Sequence, residues 1–501
     1  MIRGIVYSWR MPKRYPILLL LLLLPLLFIY VKDSHDWGDD FAQYLIQAKN
    51  IIEGKPQTSN HLLFDENSGR FAVKAYPVGF PLMLSPAVAI SDICIQPLLI
   101  LESIFLIALA ILCFYYFKKH FPAALSFLLV VFFAYHVESL NLKAQILSEI
   151  PFTLALFSIF LLLKSGRKEF KFWILCATLC AVLASIRIVG FLIIPSVGAF
   201  LLYNYILRKN SDEYPNFSRL KIFSTIAFLS IALFLFLNSF LFNIDLKDFG
   251  GFYQDVLVKH PFNLIKNLDI YIQQTGFAFR IPVLHFSWWG FFCICVILLG
   301  FIRTFLHKNS AAEWFFVFYI LLLGLYPYTS GGFRFLFPIF PLLIVYFVEG
   351  FKSIFKLLGE SAEKKFVYVP AVLLLLNQLI ELNNNWQDKN QLYAGPQSPA
   401  AVEMFDYIRN NTDSNDLLVF PRARAIALYT GRPVTYLLQK NSSTENAYLF
   451  NKLKVQYLIL PKKRELSPLF DAALWNYVGD YSSTLRTQWE NNEFVVYKLI
   501  H

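Results

Sequence analysis

The chain is divided into apolar blocks long enough to cross a bilayer, and this pattern removes most of the folds open to 501 residues. The first block runs from Tyr15 to Val31 and is nearly all leucine between Leu18 and Leu27. Further blocks lie at about 97–117, 122–137, 150–164, 172–186, 188–207, 221–242, 286–302, 311–328, 335–349 and 366–382. Most approach the roughly 17–25 residues that a helix needs to span hydrocarbon. Composition agrees. Hydrophobic residues make up 57 % of the chain and charged residues 16 %, against roughly 45–50 % and about 25 % in soluble domains. A soluble enzyme, a disordered chain and a small disulfide scaffold are excluded. The pattern predicts an α-helical polytopic membrane protein with about 11 transmembrane helices.

The net charge of +11 would suit a nucleic-acid binder if it formed one patch. It does not. Lys and Arg gather in alternate loops: Arg10, Lys13 and Arg14; Lys118 and Lys119; Arg167, Lys168 and Lys171; Arg208 and Lys209; Arg303 and Lys308; Lys352, Lys356, Lys364 and Lys365. The short loops on the other side hold only Lys143, Arg187 and Arg334. Cytoplasmic loops carry such an excess. The N-terminus is therefore expected in the cytoplasm, the C-terminus outside, and the chain in the inner (plasma) membrane with no nucleic-acid partner. The first block leaves through Phe28, Ile29 and Tyr30 instead of small residues, so it is expected to stay as an anchor. The six cysteines lie in or beside apolar stretches and read as small buried residues.

Three longer regions fall outside: 32–80, 243–285 and 383–501. The expected division is a transmembrane domain over 1–382 and a small α/β extracytoplasmic domain over 383–501, with strands near Leu417–Phe420 and Val455–Leu460 and a helix near Ala400–Asn410. Residues 77–93 are apolar, but Pro77, Pro81 and Pro86 each lack a backbone donor, so this stretch reads as interfacial or partly inserted.

A few ionisable residues of the first outer region and the short outer loops carry the chemistry. Phe41, Tyr44, Leu45, Ala48, Ile51 and Ile52 recur at helical spacing and predict an amphipathic helix along the membrane surface. Asp39 and Asp40 stand at its start and Asp36 just before. Either Asp39 caps the helix with Asp40 in its first turn, or the three carboxylates share a face. Glu149, in Ser148-Glu149-Ile150-Pro151, sits at the mouth of an otherwise uncharged span, where ionisable groups usually face a polar cavity. Arg187 interrupts two apolar spans and Arg334 follows a glycine pair. Guanidinium groups there either snorkel to headgroups or form a shared phosphate site, with Lys143 nearby. Carboxylates with cations at one outer mouth suit a reaction on a lipid-linked phosphate: a base on an acceptor hydroxyl, and cations on the departing phosphate.

These residues bring a resemblance into view. The whole chain looks like the multi-spanning GT-C glycosyltransferases, closest to the bacterial protein-mannosyltransferase-like and aminoarabinose-transferase-like group. Asp40 and Tyr44, followed by Ala48 and Glu53-Gly54, resemble the acidic loop motif of that family. Tyr76-Pro77-Val78-Gly79-Phe80-Pro81-Leu82, Ser148-Glu149-Ile150-Pro151 and Arg334-Phe335-Leu336-Phe337-Pro338 resemble three further family stretches, in the family order. The resemblance implies that Asp40 is the catalytic base, with Asp39 and Glu149 as further acidic site positions. It implies a polyprenyl-phosphate-linked sugar as donor and inversion at the anomeric carbon. Arg187, Arg334 and Lys143 would bind the donor phosphate, and Tyr44, Tyr76 and Asp36 would line the substrate site. An acidic-basic pair that some members carry is here Ala75-Tyr76, with Lys74 just before. A divalent metal therefore stays open, and no cofactor is implied.

Two other classes fit a polytopic chain: a flippase or transporter of lipid-linked saccharides, and a polysaccharide polymerase or ligase. Transport would place ionisable residues midway along several spans, whereas here the candidates cluster at one end. A polymerase or ligase would take a diphosphate-linked donor. The acceptor, whether glycan, lipid or protein, is not written in the residues.

Overall fold

The computed structural model describes residues 14–63, 73–163, 170–207, 216–245, 264–280, 288–326, 331–357, 359, 361, 366–386, 395–435, 442–463 and 468–500. The basic residues Arg10, Lys13, Arg167, Lys168, Arg208, Lys209, Lys364 and Lys365 lie outside them, as do 246–263 and 281–285 of the expected outer loop. The chain forms two compact units, each assembled from three separate stretches.

The first unit takes in Met1–Val31, Leu99–Phe236 and His260–Asn390. Apolar helices occupy each of the blocks read from the sequence. Among the described residues, Ile95–Phe117, Ile222–Leu241, Trp289–Lys308 and Phe337–Leu357 are long and apolar enough to cross a membrane. Ala123–Tyr135 and Val137–Lys143 form a pair bent by 51° that passes the same test together. Shorter apolar helices include Tyr15–Leu27, Glu149–Leu163, Lys171–Ile186, Ile188–Asn204, Ala311–Leu325 and Val369–Leu382.

Packing inside this unit uses small residues where lipid offers no hydrophobic drive between helices. Trp289–Lys308 and Phe340–Leu357 meet at Gly300 and Gly350, where a Cβ would stand 1.8 Å from the Tyr346 carbonyl oxygen and 2.0 Å from that of Val296, respectively. Beyond this contact Glu349 draws in Lys352 (3.1 Å), Lys308 (3.4 Å) and Arg303 (3.6 Å), which tie the same two helix ends. The following helix opens on a capping box: Ala312 N–H donates to Ser310 Oγ, and Ser310 N–H to Glu313 Oε2.

The second unit comprises Lys32–Leu98, Leu237–Lys259 and Gln391–His501. Its sheet has the order β2-β1-β3-β5-β4, with β1 Leu418–Val419, β2 Val434–Thr435, β3 Tyr457–Pro461, β4 Leu485–Glu490 and β5 Phe494–Leu499. β1 runs parallel to β2 and β3, whereas β5 is antiparallel to β3 and β4. Helices Ser443–Leu453 and Pro468–Asp480 cover the core, which includes Val419, Phe450, Leu458, Leu460, Leu474 and Val495. The sheet also recruits the earlier segment: Leu62 bridges to Val434. Trp37 packs edge-on against Phe405, Phe420 and Phe494.

The expected helix appears as Asp39–Ile52, but not as a half-exposed surface helix. Phe41 through Ala48 are all buried, including Gln43 and Gln47. The polar face is buried because its amides are satisfied. Gln47 Nε2 donates to the Tyr76 carbonyl oxygen (2.9 Å) and its Oε1 accepts the Tyr76 N–H (2.9 Å), while Asn50 reaches the Ser59 carbonyl oxygen. Helix Gly79–Ser91 packs against it and contains Pro86. Pro81 falls in the first turn, where no backbone bond is lost. At 13 residues this helix is about 20 Å long, short of the roughly 30 Å hydrocarbon thickness.

Candidate active site

In the second unit the acidic triplet is split. Gly38, not Asp39, is the N-cap, and Asp39 and Asp40 are the first two helical residues, where the helix dipole favours carboxylates. The helix does not reach back to Asp36, so the three carboxylates share no helical face. Asp36 turns onto its own loop instead. Its Oδ1 accepts the Gly38 N–H at 2.9 Å and pairs with His35 Nδ1 at 3.0 Å. A Cβ at position 38 would stand 2.9 Å from that oxygen, so glycine suits the turn.

Asp40 projects beside the proline-rich stretch. The Tyr76 hydroxyl donates to Asp40 Oδ1 at 2.6 Å, and the Asp40 side chain stays 29 % exposed. Tyr44, one helical turn on, lays its ring against Tyr76 (4.9 Å between centroids) and edge-on against Phe80 (4.7 Å). The Tyr76 phenol is held well above its ordinary pKa by burial and by the Asp40 carboxylate, although Arg424 opposes the shift. It therefore keeps its proton and acts as a donor. Asp39 is different. Burial pushes its carboxyl up to about 6 against the pull of Arg424 and Arg422, and Asp40 adds to the rise. Asp39 accepts the Arg424 backbone N–H, while its Oδ1 is buried without a hydrogen bond.

In the first unit Glu149 begins the Glu149–Leu163 helix and is fully buried. Its Oε1 accepts from both Arg187 and Arg334, and Arg187 also donates to Ser148 Oγ (3.1 Å). Each arginine is presented by a break in regular structure. Arg187 is an extended residue between helix Phe170–Ile186 and the turn Ile188–Leu192, and Arg334 lies in the turn Gly332–Phe335, which opens on Gly332 at φ +54°. The carboxylate is 1 % exposed and the arginine side chains 21 % and 24 %. Both guanidinium groups keep accessible surface beside this carboxylate, a pattern suited to a phosphate.

Lys143 departs from the phosphate-binding expectation. It ends the Val137–Lys143 helix with no exposure, and its Nζ donates to Ser103 Oγ at 3.1 Å. An enclosed ammonium has no surface to offer a phosphate. Beside Ser103, Glu102 is buried within the Ile95–Phe117 helix, an acidic residue that the run of apolar neighbours hid from sequence reading. Among the described residues no three His, Cys, Asp or Glu side chains gather as metal ligands. Glu149 instead spends one oxygen on two guanidinium groups.

Arg424 also belongs to this site, although it was not among the candidate residues of the sequence. It is 2 % exposed, donating to Tyr76 Oη at 2.9 Å and to the Val73 carbonyl oxygen at 3.0 Å. A signal was present: Ala423, Ala425, Ile426 and Ala427 around it are uniformly apolar.

No described protein family matches the sequence, and no curated protein does either. Solved structures do match. ArnT from Cupriavidus metallidurans bound to undecaprenyl phosphate superposes with a TM-score of 0.57 at 10 % identity, covering 97 % of this chain and 98 % of that one. The Archaeoglobus fulgidus oligosaccharyltransferase, in a complex with Zn and sulfate, gives 0.55 at 13 % identity over 93 % of this chain and 70 % of its own. The same organism's AglB with an inhibitory peptide and a dolichol-phosphate gives 0.54 at 14 %, covering 89 % and 70 %. This chain shares the fold of ArnT and of the archaeal oligosaccharyltransferase AglB.

Proposed function

We propose that the chain is an integral-membrane glycosyltransferase that moves a sugar from a polyprenyl-phosphate donor to a glycan, lipid or protein acceptor at the outer face of the membrane. Asp40 is the general base. It takes the proton of the acceptor hydroxyl while that oxygen bonds the anomeric carbon. The C–O bond to phosphate breaks on the opposite side, its electron pair leaves with the polyprenyl phosphate, and the configuration inverts. Arg187 and Arg334 bind the phosphate and balance its charge as it departs.

One observation carries the reading: Asp40 is oriented by the Tyr76 hydroxyl yet keeps exposed carboxylate surface. A base must be both fixed and reachable. Asp39 meets the first condition only, because one oxygen is buried and its carboxyl accepts the Arg424 N–H. The lipid phosphates bound to ArnT and AglB match the chemistry of the assigned donor. The test is lipid and glycan analysis of a strain lacking the gene, complemented with the parent chain or with Asp40→Asn. The donor lipid should accumulate in the deletion and in the Asp40→Asn strain. Full restoration of the glycan by Asp40→Asn would overturn the base assignment.

A further inference from the structure

The base has a second neighbour that no part of the reaction above has used. Arg424 comes second in the Ala423–Thr430 helix, far along the chain from the acidic loop. Its side chain is 3 % exposed, with Nη1 2.9 Å from Tyr76 Oη and 3.8 Å from Asp40 Oδ1. The guanidinium carbon stands 5.0 Å from the centre of the Tyr76 ring. Enclosing a guanidinium costs several kcal/mol unless it is paired, so a purely mechanical tie between segments would be cheaper with an apolar side chain. The charge has a direction here. Arg424 donates to the Tyr76 oxygen, which fixes the lone pair, and the phenolic hydrogen is left to point at Asp40 Oδ1.

We propose that Arg424 is a positioning residue for the base: through Tyr76 it holds one Asp40 oxygen in place and keeps the carboxylate aimed for proton abstraction. The inference rests on Asp40 being the base. It adds that the C-terminal domain contributes to turnover through a residue that acts by way of Tyr76. A residue that aims a base acts on kcat, because a misplacement of about 1 Å can cost about 100-fold in rate while ground-state binding is unaffected.

The test uses the full chain in proteoliposomes. The donor is the pool of polyprenyl-phosphate sugars extracted from the host's membranes after labelling with 32P, and membranes of the deletion strain supply acceptor. Released polyprenyl phosphate gives kcat and the donor KM for Arg424→Gln, Arg424→Lys, Tyr76→Phe, Asp40→Asn and the Arg424→Gln/Tyr76→Phe double variant. Arg424→Gln should lower kcat about 10- to 100-fold with the donor KM within about two-fold, and Arg424→Lys should recover part of the loss. The double variant should be no slower than Tyr76→Phe alone, because both changes break one chain of hydrogen bonds. Unchanged kcat in Arg424→Gln, or multiplied losses in the double variant, would overturn the proposal. If Arg424→Gln does not fold, Arg424→Lys decides alone: parent kcat or a raised KM overturns it. Activity in Asp40→Asn sinks the base assignment itself. An inactive Asp40→Asn beside a fully active Arg424→Gln sinks only the role of Arg424.

Discussion

Tyr76 and Asp40, 36 positions apart, share a hydrogen bond of 2.6 Å in which the phenol is the donor. Removing that hydroxyl while keeping the ring is the mildest perturbation of the site. Tyr76→Phe retains the ring contact with Tyr44, so the chain should fold with a stability change of about 1 kcal/mol. Sugar transfer should fall about 10-fold or more as the carboxylate loses its fixed orientation. Single-turnover rates in proteoliposomes measure this, and an undiminished rate would show that Asp40 needs no orientation.

Glu149 should matter to folding more than either arginine it holds. Glu149→Gln leaves two partly buried guanidinium groups without their shared carboxylate, at a cost on the order of 2 kcal/mol or more. Arg334→Gln leaves Arg187 as partner, so it should cost less in stability and appear chiefly as a raised donor KM. Thermal unfolding in detergent separates the two. Equal melting temperatures for the two variants would contradict the arrangement.

Asp39 predicts a pH signature. Its carboxyl titrates at about 6 in the folded chain, against an ordinary value of 3.8, so between these limits the folded form holds a proton that the unfolded form has lost. The stabilising contribution is complete below about pH 4 and disappears as pH rises through about 6. Above that, folding carries a buried carboxylate charge. Asp39→Asn removes the charge and keeps an acceptor for the Arg424 N–H. Its melting temperature should exceed the parent's at pH 7.5, with the difference narrowing as pH falls from about 6 and gone below about 4. A lower melting temperature at pH 7.5 would show that the charge is compensated.

At Gly300 the two helix backbones leave no room for a side chain, since an added Cβ would stand 1.8 Å from the Tyr346 carbonyl oxygen. Gly300→Ala should force the helices apart and cost about 1–3 kcal/mol. The melting temperature of the purified protein reports it, and an unchanged value would mean that the contact gives way easily.

The apolar helices were legible because each block satisfies one strong local rule, hydrophobicity over the length of a span. Leu417–Phe420 and Val455–Leu460 were legible as strands for a similar reason, and β1 and β3 lie there. The Asp39–Ile52 helix shows where local rules stop. Its period was plain, but its burial depends on Gln47 and Asn50 finding backbone partners at Tyr76 and Ser59. Pairing of that kind has no periodic signature. Neither alternative for the acidic triplet holds, because Gly38 begins the helix and leaves Asp36 to close its own turn. Lys143 looked like a loop cation, yet its ammonium turned inward to Ser103, 40 positions away. Arg424 is the same lesson with opposite sign. A cation among alanines carries no local mark of its partner, yet it reaches Tyr76 across 348 positions.

The central claim is that Asp40 takes the acceptor proton. Its most direct test is the initial rate of sugar transfer by purified Asp40→Asn in proteoliposomes, with Asp39→Asn as the neighbouring control and 32P-labelled polyprenyl-phosphate sugars as donor. The account predicts a drop of about 100-fold or more for Asp40→Asn with donor affinity preserved, and a rate for Asp39→Asn near that of the parent. Parent-like transfer by Asp40→Asn, or a larger loss at Asp39, would contradict it.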